Sequence, residues 1–132
     1  ARGRYLHRFG RTVLENARAH LNKAYSKAEN EPEVLKRLGL LNTAQTYAEK
    51  YIPLRDGWTK YTKKQPAAPA SEELLTMAHK LLAFIEHAEK ETKWALTYRG
   101  HWAYTADALP KTVISKLSQE KQNDAEELYQ PQ

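Results

Sequence analysis

At 132 residues, with 41% hydrophobic side chains, the chain is long enough to bury a core as one domain, and no apolar run approaches the ~18–20 residues of a bilayer crossing. It contains no cysteine, which excludes disulfides, thiolate metal sites and cysteine nucleophiles and points to a reducing compartment. The net charge of +5 is unevenly spread: residues 1–70 hold 14 of the 21 Lys+Arg and 6 of the 16 acids, whereas residues 71–132 are net acidic.

The chain opens Ala-Arg-Gly-Arg, and residues 1–14 carry Arg2, Arg4, Arg8 and Arg11 with no acid. Organelle transit peptides share that pattern but are usually rich in serine, and the first serine here is Ser26. A folded first helix over residues 5–28 is the better expectation. Leu6, Phe9, Val13, Ala17, Leu21, Ala24 and Ala28 step by three or four along one face. On that register Arg4, Arg8, Arg11 and Arg18 gather on the opposite face, a ridge of guanidinium forks suited to phosphate oxygens.

Asn30-Glu31-Pro32-Glu33 is a helix start signal, with Asn30 as cap and Pro32 in the first turn. The second helix is expected over residues 31–52, with Leu35, Leu38, Leu41, Ala44 and Ala48 on its apolar side and Pro53 as its stop. Residues 53–70 then read as a long basic and aromatic loop. Asp56-Gly57 marks a turn and Pro66-Ala-Ala-Pro69 a stiff spacer. Within this stretch Arg55, Lys60, Lys63 and Lys64 interleave with Trp58 and Tyr61. Cations tracking a backbone and rings stacking on bases are how single-stranded nucleic acids are held.

Ser71, Glu72 and Glu73 open a third helix over residues 71–97, with Leu74, Ala78, Leu81, Ile85 and Ala88 facing a core. Trp94, Tyr98, Trp102 and Tyr104 form an aromatic knot of the kind that lines protein interfaces. A fourth helix is expected over residues 110–128, with Val113, Ile114 and Leu117 apolar and a polar tail. The whole is an all-α, four-helix, bundle-like single domain spanning residues 1–132.

Catalytic signatures are absent from the sequence. There is no Glu-x-x-His, His-Glu-x-x-His or Gly-x-Ser-x-Gly, and the histidines are scattered, so neither catalytic residues, metal ligands nor a cofactor are assigned. Lopsided charge and an arginine ridge point to a non-enzymatic helical subunit of a nucleoprotein assembly, such as an RNA-guided CRISPR-type effector complex. Arg4, Arg8, Arg11, Arg18, Arg55, Trp58, Lys60, Tyr61, Lys63 and Lys64 would contact a nucleic-acid backbone, single strands favoured, without reading sequence. Trp94, Tyr98, Trp102 and Tyr104 would meet neighbouring protein subunits or copies of the chain itself. One alternative is a helical accessory or scaffold subunit of a larger protein complex with no nucleic-acid role; a second is a small helical enzyme or metal-binding bundle. The expected compartment is the cytoplasm or an organellar matrix, with no membrane partner.

Overall fold

The computed structural model describes residues 10–92 and 106–129. Their regular structure is entirely helical: α1 (Arg11–Lys27), α2 (Pro32–Thr62), α3 (Ser71–Thr92) and α4 (Ala108–Tyr129). Helices pack side by side in the manner of a bundle, and no strand occurs among the described residues. The chain divides into two compact units, and the division falls inside α2, between Ile52 and Pro53.

In the first unit α1 pairs with the leading half of α2. Leu14, Leu21 and Ala28, spaced by seven, are buried, and Leu21, Ala28 and Leu38 cluster with Ala24, Tyr25 and Leu35 around them. This seam matches the expected one along its second half and departs from it at the start. Leu21, Ala24 and Ala28 belong to both, but at the leading end Leu14 is buried while Val13 and Ala17 are exposed.

α2 begins at Pro32, where a missing N–H costs nothing because the first-turn donors lack helical partners anyway. It does not stop at Pro53 but runs on to Thr62, so the expected 53–70 loop shrinks to residues 63–70. Proline in a helix interior costs about 3 kcal/mol, since it cannot donate to the carbonyl four residues back. Against this, Leu54 is fully buried, worth about 1.5–3 kcal/mol alone, and the helical backbone bonds of the next two turns add to it. The continuation wins on that balance.

The end of α2 is a Schellman motif. The Gln65 N–H donates to the Lys60 carbonyl (3.0 Å) and the Lys64 N–H to the Tyr61 carbonyl (3.1 Å). Lys64 occupies the left-handed position, φ 54°, that glycine usually fills.

In the second unit the trailing part of α2 joins α3 and α4. Leu74, Ala78, Leu81, Ile85 and Ala88 alternate four and three residues apart, giving α3 one buried stripe, and α4 packs against α3 with Val113 and Leu117 buried. Pro110 is fully buried in the first turn of α4. Gly57 is a close-approach position: a Cβ there would lie 3.0 Å from Pro69 Cγ and 3.1 Å from Leu74 Cδ2. The Asp56-Gly57 pair is thus a helical contact point for the returning connection and not a turn.

Candidate functional site

The polar and apolar edges of the α1–α2 pair differ sharply. On one edge Arg18 reaches across to α2. Its Nε and Nη2 donate to the two carboxylate oxygens of Glu49 (3.2 and 2.6 Å), its Nη1 to Asn42 Oδ1 (2.5 Å) and its Nη2 also to Thr46 Oγ1 (3.1 Å). Hydrogen bonding to Arg18, opposed by partial burial, holds the Glu49 carboxyl below its ordinary pKa of 4.5. Gln45 adds a second tie, its amide donating to the Leu14 carbonyl (2.9 Å) and to Glu49 Oε2 (3.3 Å).

The other edge of the pair is apolar and exposed at Val13, Ala17, Leu41 and Ala44 among the described residues. An apolar groove of about 540 Å³ runs between the helices. α1 contributes Val13, Leu14, Ala17, His20, Leu21 and Ala24. From α2 come Leu38, Leu41, Ala44, Gln45 and Ala48. Val13 is 42% exposed and Leu41 59% exposed. Leucine at such exposure is ordinary when isolated, but here it belongs to a continuous apolar trough, which is how docking sites differ from scattered surface leucines.

The residues expected to contact nucleic acid do not form one surface. Arg4 and Arg8 lie outside the described residues, as do Trp94, Tyr98, Trp102 and Tyr104 of the aromatic knot. Arg11 is exposed and pairs with Glu15 one turn on (2.9 Å). Arg18 is committed to α2, as described, since it lies one turn after the buried Leu14. Arg55 is mostly covered and pairs with Asp56 through Nη2 (2.8 Å). Trp58 and Tyr61 stack on each other, ring centroids 5.7 Å apart at 14°. The Tyr61 hydroxyl donates to Glu120 Oε2 of α4 (2.7 Å), which raises the phenol pKa above its ordinary range. Lys60, Lys63 and Lys64 are exposed at the end of α2.

The groove itself was half visible in the sequence. Val13, Ala17, Leu21, Ala24, Leu41, Ala44 and Ala48 were recognisable as apolar helix faces, but periodicity cannot tell a face covered by its own chain from one left open. Among the described residues no group of three or more His, Asp or Glu is placed to hold a metal ion, and no helix is long and apolar enough to cross a membrane. Comparison of the chain with protein-family models, curated proteins and solved structures found no match in any of the three.

Proposed function

We propose that this protein is a non-enzymatic helical accessory subunit that docks onto a neighbouring protein through the open edge of the α1–α2 pair. The observation that carries this reading is the apolar groove between Val13 and Leu41. Helix pairs with an exposed apolar trough gain free energy by burying it, roughly 25 cal/mol per Å² of apolar surface removed from water. The commitment of Arg18, Arg55 and Tyr61 to partners within the chain supports the same reading, because those side chains are occupied in holding the fold. A cytoplasmic or organellar-matrix assembly is its setting.

The reading is tested by size-exclusion of extract from source cells expressing the tagged chain at native level. The protein should elute far above its 15.2 kDa. The double variant Val13→Glu, Leu41→Glu should elute as a monomer while its far-UV circular dichroism stays helical, since both sites are exposed. Elution of the unaltered chain as a free monomer would sink the reading.

A nucleoprotein assembly, with RNA-guided CRISPR-type complexes as one setting, is the second reading. What favours it is the exposed trio Lys60, Lys63 and Lys64, with Lys64 held in a backbone conformation that glycine would adopt at less cost. Its backbone contacts would then come from this cluster and Arg11 rather than from Arg18. Collapse of the large species on nuclease treatment would transfer the conclusion to it.

A further inference from the structure

We draw no further inference here: the strongest candidate, the apolar groove between α1 and the leading half of α2, belongs to the site already described, and nothing in the structure shows what covers it.

Discussion

Arg18 shows how one residue's role depends on the helix register around it. Counted from an apolar seam through Val13 and Ala17, it belongs on the far face with Arg11. Counted from Leu14 and Leu21, it falls at the contact with α2, four residues after Leu14, and there its fork takes both oxygens of Glu49. About 30% of each side chain still meets solvent, so screening trims what the pair is worth. Arg18→Lys keeps the charge but loses the planar fork, and should cost about 1–2 kcal/mol in a chemical-denaturation measurement. Acid dependence follows from the lowered Glu49 pKa. A carboxyl whose folded pKa is depressed contributes stability that is fully present above its ordinary value of 4.5 and is lost as pH falls through the depressed one. Stability of the unaltered chain should therefore fall more steeply below pH 4.5 than that of Glu49→Gln. Equal slopes would show that the tie is not formed in solution.

At the scale of the element, α2 is the instructive case, because its two interior glycines sit in opposite surroundings. A Cβ at Gly39 would meet nothing within 4 Å, whereas one at Gly57 would press on Pro69 and Leu74. Gly39→Ala should raise stability by about 0.5–1 kcal/mol through helix propensity and a less flexible unfolded chain. Gly57→Ala gains the same propensity but must displace a proline ring and a buried leucine, and should lower the melting temperature. Opposite signs from one substitution in one helix would confirm that residues 53–62 are helical and covered. The sequence alone did not reveal this. Its rules weigh Pro53 and Asp56-Gly57 as local breakers, and nothing local records that Leu54 will be buried or that Pro69 will return to cover Gly57. By contrast the α3 stripe Leu74, Ala78, Leu81, Ile85, Ala88 was legible, because alternation of four and three over two full heptads admits one buried face. The candidate site was legible in composition but not in location: its apolar residues were plain, while their exposure is a matter of packing that periodicity does not record.

Across the described residues, burial is unequally shared between the two units. The largest fully buried side chains, Leu54, Leu74, Leu81, Pro110 and Val113, all belong to the unit from Pro53 onward. In the unit ending at Ile52 the buried set is Leu14, Leu21, Ala28, Leu38 and Ile52, and none of these is fully closed off. Stability at each amide tracks the buried contacts that must open to expose it. Native-state hydrogen exchange of the free protein should accordingly find α1 amides exchanging at least about tenfold faster than those in the middle of α3, a gap of about 1.4 kcal/mol in opening free energy. Equal protection of α1 and α3 would mean that the helix pair is already complete, and the groove would then be a surface feature with no free energy waiting to be gained by covering it.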